Sequence, residues 1–252
     1  MSLVARENLN IIELEVVDST NLYAKMNLEN LPDKSIVSAI RQTSGRGRFT
    51  RSWVDLGNDN VFMSIILKPS DDFKPVYANI TQYFSVVLSE TFEEYGLKPS
   101  IKWPNDVLID GKKIAGILSE SIVSGNCFKG LILGFGINLN AKSEDLGMVS
   151  DKKITALNLE LNISEVDKKA FVEKLLDKFF KNYDNFLKNG FSMIKQNYIE
   201  RTNFLNSEIS VQVFNERKSG IAKYINDFGE LVLEKDNSEF VLTMGDILWV
   251  EI

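Results

Sequence analysis

Between Ile101 and Ile137 the chain is a series of apolar runs separated by turn residues, and such a segment leaves few choices of fold. Ile101–Trp103, Val107–Ile109, Lys113–Ser121 and Phe128–Ile137 are rich in Ile, Val, Leu and Phe, which suit a pleated, half-buried surface. They are divided by Pro104-Asn105-Asp106, by Asp110-Gly111 and by Ser124-Gly125-Asn126. Asp-Gly readily adopts the positive φ angles that a tight hairpin requires. The pattern predicts a three-strand antiparallel meander, and hence a sheet that is mixed or antiparallel.

Further strands are expected at Ile11–Val17, Ile36–Gln42 and Val61–Leu67, the last a buried one. Asp18-Ser19-Thr20-Asn21 offers several N-caps for a helix running to about Glu29. From Pro75 to Tyr95, Val76, Ile80, Phe84, Val87, Leu88 and Thr91 recur at spacings of three and four, the mark of an amphipathic helix lying on a sheet. Ser164 with Asp167 resembles a capping box opening a long helix through Phe171, Leu175, Phe179, Tyr183 and Phe186 to about Lys188. Another helix is expected over Ser192–Asn203. From about Asn206 the pattern turns to five short strands, Ile209–Phe214, Gly220–Ile225, Leu231–Glu234, Phe240–Thr243 and Ile247–Glu251, with Gly229 and Gly245 in turns. The expected fold class is therefore α+β. Residues 1–204 form a sheet packed with helices and residues 205–252 a small SH3-like β-barrel, packed together because no long linker parts them.

Histidine is absent from the 252 residues, which removes Ser-His and Cys-His dyads, His metal ligands and imidazole pH switches. A net charge of −6 argues against general nucleic-acid binding, which relies on many Lys and Arg contacts to phosphate. The apolar runs stop well short of the ~18 residues that span a bilayer, so no membrane segment is expected. The start lacks the pattern of a secretory leader. Cys127 is the only cysteine and can form no internal disulfide. A cytoplasmic protein is expected.

Against this acidic background Arg41, Arg46, Arg48 and Arg51 crowd one segment with Gly45 and Gly47. Glycines let a backbone approach an anion, and arginines offer multi-donor contacts to phosphate and carboxylate oxygens. A solvated arginine loop would have the same composition. Asn105 and Asp106, on a turn, have oxygens that suit Mg²⁺ beside a nucleotide phosphate, and they equally suit shaping the turn. Lys112 and Lys113 fit an exposed hairpin pair, although Lys113 also leads into Ala115-Gly116, where small residues would admit a ligand against the backbone. The arginine segment carries one large apolar residue, Phe49, so without ligand it is expected to be mobile.

Taken in order, Ser19-Thr20-Asn21, Gly45-Arg46-Gly47-Arg48 with Arg51 and Trp53, Lys102-Trp103-Pro104-Asn105-Asp106, Lys113-Ile114-Ala115-Gly116-Ile117-Leu118 and Gly134-Phe135-Gly136-Ile137-Asn138 resemble the biotin–protein ligase family. The resemblance spans residues 11–140 and extends, less specifically, through the C-terminal strands. It implies a catalytic domain like that of class II aminoacyl-tRNA synthetases, which joins biotin and ATP into biotinyl-5'-AMP and passes biotin to a lysine of a biotin carboxyl carrier protein. Ser19, Thr20, Asn21 and Gln42 would then hold the biotin head group, with Gly45, Gly116, Leu118 and Gly136 against the ligand. Arg46, Arg48 and Lys113 would act on the carboxylate and adenylate as the catalytic groups. Arg51, Trp53, Asn105 and Asn138 would contact the nucleotide, and Asp106 with Asn105 would lie near Mg²⁺. Many relatives have Arg-Gly where this chain has Phe49-Thr50, which bears on loop closure. The catalytic domain begins within about ten residues, so a helix-turn-helix domain and a DNA role are not expected, and a homodimer stays open. Rival readings are a lipoate or octanoate ligase or transferase of similar fold and a non-catalytic sensor of biotin or nucleotide. Cys127 has no histidine to activate it as a nucleophile.

Overall fold

A computed structural model describes residues 9–49, 51–57, 59–69, 72–146 and 153–248. Strands β1 (Ile11–Val17), β2 (Ile36–Gln42), β3 (Val61–Leu67), β4 (Pro99–Lys102), β5 (Asp106–Ile109), β6 (Lys112–Ser124) and β7 (Cys127–Ile137) form one seven-stranded sheet in the order β1-β2-β3-β7-β6-β5-β4. β1 runs parallel to β2 and every other pairing is antiparallel, so the sheet is mixed. The expected three-strand meander is present as β5 to β7, with β4 adding a fourth antiparallel strand at its edge, and Asp110 and Gly111 turn the β5–β6 hairpin with φ of 48° and 73°.

The two faces of the sheet are covered differently. Helix α1 (Thr20–Met26) lies on one face, where Ala24, Leu28 and Leu31 pack on Val37, Ile66 and Ile132. On the other lie helix α2 (Ile80–Glu93) and, behind it, the long helix α5 (Lys168–Asn189). Tyr83 of α2 stacks on Phe186 at 4.4 Å between ring centres, and Phe84 meets Phe135 at 4.5 Å. Two short helices, α3 (Ser143–Leu146) and α4 (Leu157–Glu160), follow β7, and α6 (Lys195–Glu200) leads out of the large sheet.

Several helix bounds differ from the sequence expectation for identifiable reasons. The first ends at Met26 and continues only as a 3₁₀ turn at Leu28–Asn30. Pro75 starts a 3₁₀ turn, Pro75–Asn79, rather than the α-helix itself. Asp167 caps α5 alone by accepting from the Ala170 N–H at 3.0 Å, so the start is a simple Asp cap and no capping box with Ser164. The helix expected at Ser192–Asn203 is split into a 3₁₀ turn, Gly190–Met193, and α6.

Strands β8 (Glu208–Val213), β9 (Glu216–Ile225), β10 (Leu231–Lys235), β11 (Ser238–Leu242) and β12 (Asp246–Leu248) form the second, antiparallel sheet in the order β11-β10-β9-β8-β12. Residues 249–251 of the last expected strand lie outside the described residues. Ile209, Val211, Ile225, Leu231 and Leu233 join the same apolar core as the large sheet. Polar contacts reinforce the join: Trp103 Nε1 and Gln82 Nε2 both donate to the carbonyl of Gly229, at 3.1 and 2.7 Å. No described helix is long and apolar enough to cross a membrane.

Candidate active site

The floor of the site is set by strand register. Ser64, Gly134 and Leu118 lie side by side across β3, β7 and β6, and Phe62, Gly136 and Gly116 form the next row. The missing side chains are filled by two others. A Cβ on Gly134 would overlap the amide of Asn21, and one on Gly136 would overlap the indole of Trp53, which also covers Gly116. The Trp53 indole N–H is buried and has no acceptor. Gly45 lies against Trp53 from the other side, where a Cβ would stand 2.6 Å from its carbonyl oxygen.

Over the Gly134 row sits a buried polar network at the start of α1. The Thr20 N–H donates to Gln42 Oε1 at 2.8 Å, and the Ser64 hydroxyl lies 2.8 Å from the Thr20 hydroxyl and 2.6 Å from Asn21 Oδ1. Asn21 Nδ2 donates to Glu120 Oε2 at 2.9 Å and faces the Leu118 carbonyl at 3.3 Å. Every heteroatom of the Asn21 amide is thus engaged by protein. Glu120 also receives Arg46, 3.4 Å away.

Beyond Trp53 the lining becomes cationic. Lys113 Nζ pairs with Asp106 Oδ1 at 2.7 Å and stands 5.3 Å from the Trp53 ring centre. Arg48 Nη1 donates to the Gly245 carbonyl at 2.8 Å and to Asp246 Oδ1 at 3.1 Å, and it faces Asn105 Oδ1 at 3.3 Å. Arg51 takes the other oxygen of Asp246 at 3.1 Å. Burial draws the pKa of Arg48 and of Lys102 below their ordinary values, with Asp246 opposing the shift at Arg48 and Asp106 at Lys102. Asn105 Nδ2 and Asn138 Nδ2 are taken by the carbonyls of Ile117 and Thr155, each at 2.9 Å.

Among these groups lies one cavity of about 1080 Å³. Ser19, Thr20, Asn21, Gln42, Arg46, Arg48, Arg51, Trp53, Asn105, Asp106, Lys113, Gly116, Leu118, Gly136 and Asn138 line it, whereas Gly45 shapes the loop behind Trp53. The arginines do not converge: Arg46 turns to Glu120, and Arg48 and Arg51 turn to Asp246. A second cavity, of about 640 Å³, shares Arg48 and Asn105 with the first. Cys127 is exposed and lines neither.

The arginine segment has more anchors than its composition suggests. Arg46 pairs with Ser52 in a short bridge, and the Gly47 N–H donates to the Arg51 carbonyl at 2.8 Å. Phe49, at φ 57°, meets the edge of Phe214, in the turn between β8 and β9, at 5.5 Å. Thr50 lies outside the described residues. Ser64, Glu120, Asp246 and Phe214 were not assigned to the site from sequence. Ser64 carried a signal, as the one polar residue in the buried run Val61–Leu67. Asp246 carried none, because its partners are almost two hundred positions away.

Residues 13–138 match the model of the biotin/lipoate A/B protein ligase family. The bifunctional ligase/repressor BirA of Bacillus subtilis (strain 168) is 31% identical, over 94% of this chain and 73% of that protein. The chain belongs to the biotin/lipoate A/B protein ligase family. Within the family, biotin–[acetyl-CoA-carboxylase] ligase of Paracoccus denitrificans is 28% identical over 92% of this chain and 97% of its own length. The biotin protein ligase of Aquifex aeolicus, solved in complex with biotin and ATP, superposes with a TM-score of 0.78 at 26% identity, covering 95% of this chain and 97% of that one.

Proposed function

We propose that this family member is a biotin–protein ligase. A biotin carboxylate oxygen attacks the α-phosphorus of ATP and displaces pyrophosphate, giving biotinyl-5'-AMP. The amine of an acceptor lysine on a biotin carboxyl carrier domain then attacks the acyl carbon, and AMP leaves as the amide forms. The observation that carries this reading is one cavity that joins neutral hydrogen-bonding groups, Thr20 and Gln42, to the cations Lys113, Arg48 and Arg51. A polar, uncharged ring suits the first set and a carboxylate beside phosphates the second.

In this reading Ser19, Thr20, Asn21 and Gln42 form the head-group end, and Gly45, Gly116, Leu118 and Gly136 give the ligand room along the sheet. Lys113 gives up Asp106 to stabilise the charge developing between carboxylate and α-phosphate, with Arg46 and Arg48 on the oxygens around it. Arg51, Trp53, Asn105 and Asn138 serve the nucleotide, whose acceptors would satisfy the buried Trp53 N–H. Magnesium is read as part of the ATP substrate. Asn105 and Asp106 fit a resident ion poorly, since each already gives an oxygen to Arg48 or Lys113. Among the described residues no three His, Cys, Asp or Glu side chains gather to hold a metal. The C-terminal strands, read as an SH3-like domain from residue 205, hold the arginine loop through Asp246. Dependence on ATP suits the cytoplasm.

Exchange of labelled pyrophosphate into ATP tests the first half-reaction. Exchange that requires biotin supports the reading, and exchange driven by lipoate or octanoate but not by biotin would replace it.

A further inference from the structure

The polar network on Gly134 has a single direction, and that direction bears on which ligand the cavity selects. Ser64 is fully buried, and its one hydroxyl proton has two neighbours in reach. Asn21 Oδ1 can only accept, since Asn21 Nδ2 is committed to Glu120 and the Leu118 carbonyl. The Ser64 proton therefore goes to Asn21, across the 2.6 Å contact. Left with lone pairs, Ser64 Oγ takes the Thr20 proton across the 2.8 Å contact between the two hydroxyls. Gln42 Oε1, 3.2 Å from Thr20 Oγ1, is the longer option and already accepts the Thr20 N–H. The chain runs from Thr20 to Ser64 to Asn21 and ends on the carboxylate of Glu120, with Arg46 beyond it.

We propose that Ser64 is a positioning residue that turns the Thr20 proton away from the cavity, so that Thr20 offers the ligand only lone pairs. Asn21 fixes that direction by accepting the Ser64 proton. Thr20 thus accepts, and it selects a ring bearing an N–H donor. This rests on the biotin reading: the ureido ring of biotin carries two N–H groups, whereas the dithiolane of lipoate and the chain of octanoate carry none. Gly134 supports the assignment independently, because any side chain there would push the Asn21 amide off the sheet and break the chain.

The test is the steady-state kinetics of biotin-dependent pyrophosphate exchange in wild type, Ser64→Ala, Ser64→Thr and Glu120→Ala. Ser64→Ala should raise KM for biotin about tenfold, the scale of one lost hydrogen bond, with kcat and KM for ATP within about twofold of wild type. Ser64→Thr keeps the hydroxyl and should restore most of the affinity. Glu120→Ala, at a partly exposed position, should raise KM for biotin in the same sense and so reads the chain even if Ser64→Ala folds poorly. An unchanged KM for biotin in either alanine variant, or an equal rise in KM for ATP, would overturn the assignment while exchange by wild type keeps the biotin reading intact. Absence of biotin-dependent exchange in wild type would overturn both.

Discussion

The guanidinium of Arg48 stands 3.1 Å from the carboxylate of Asp246, and this contact ties a loop of the large sheet to the last strand of the small one. Both side chains are mostly buried and Arg51 shares the same carboxylate, so the pair is shielded from the solvent that weakens surface ion pairs.

Removing that carboxylate should loosen the loop. In Asp246→Ala, Arg48 keeps only the Gly245 carbonyl and Asn105, and trypsin should cut at 46–51 at least ~5 times faster than in wild type when no ligand is present. Biotin with ATP should slow the cut in both proteins. Equal cleavage of the free proteins would mean that Asp246 does not hold the loop.

Lys113→Gln separates charge from fold. Lys113 is a partly exposed hairpin residue, so its loss should leave the melting temperature nearly unchanged. Pyrophosphate exchange should fall about 100-fold, the scale for removing one group aimed at developing charge. Undiminished exchange would take Lys113 out of the mechanism.

Gly136→Ala probes the seat of Trp53. The new methyl group would occupy indole space, and overpacking of this kind costs about 1–3 kcal/mol unless the ring moves. The ring should swing into the cavity, shifting tryptophan emission to the red and raising KM for both substrates. Emission and KM matching wild type would show that the row tolerates a side chain.

Glu90 supplies a pH signature unrelated to the site. Burial is the main cause that raises its pKa above 4.5, so the folded state holds the proton more tightly than the unfolded one. The stability this contributes is full below about pH 4.5 and is lost as pH rises through the folded value. Glu90→Gln mimics the protonated form. Its melting temperature should match wild type near pH 4 and exceed it at pH 7, and a gain that stays the same at both pH values would contradict the assignment.

What could be foreseen in the chain follows the range of the forces involved. The β5–β7 meander was legible because Asp110-Gly111 and Gly125-Asn126 act over two residues, and the core face of α2 because Ile80, Phe84, Val87 and Leu88 repeat at helical spacing. The split of the Pro75 helix and the lone Asp167 cap depend on local hydrogen bonds that composition leaves open. The residues of contiguous motifs, from Ser19 to Asn138, come together around one cavity, whereas the motifs give no sign of Asp246 or Phe214. Their contacts to Arg48 and Phe49 exist only once the two sheets pack together.

The most direct test of the biotin reading is the mass of the acceptor itself. A biotin carboxyl carrier domain incubated with the protein, ATP, Mg²⁺ and an equal mixture of biotin and lipoate should gain one biotinyl group, should gain none when ATP is withheld, and should stay unmodified when its acceptor lysine is replaced by arginine. A lipoyl adduct without a biotinyl one, or tight retention of biotin with no adduct at all, would contradict it.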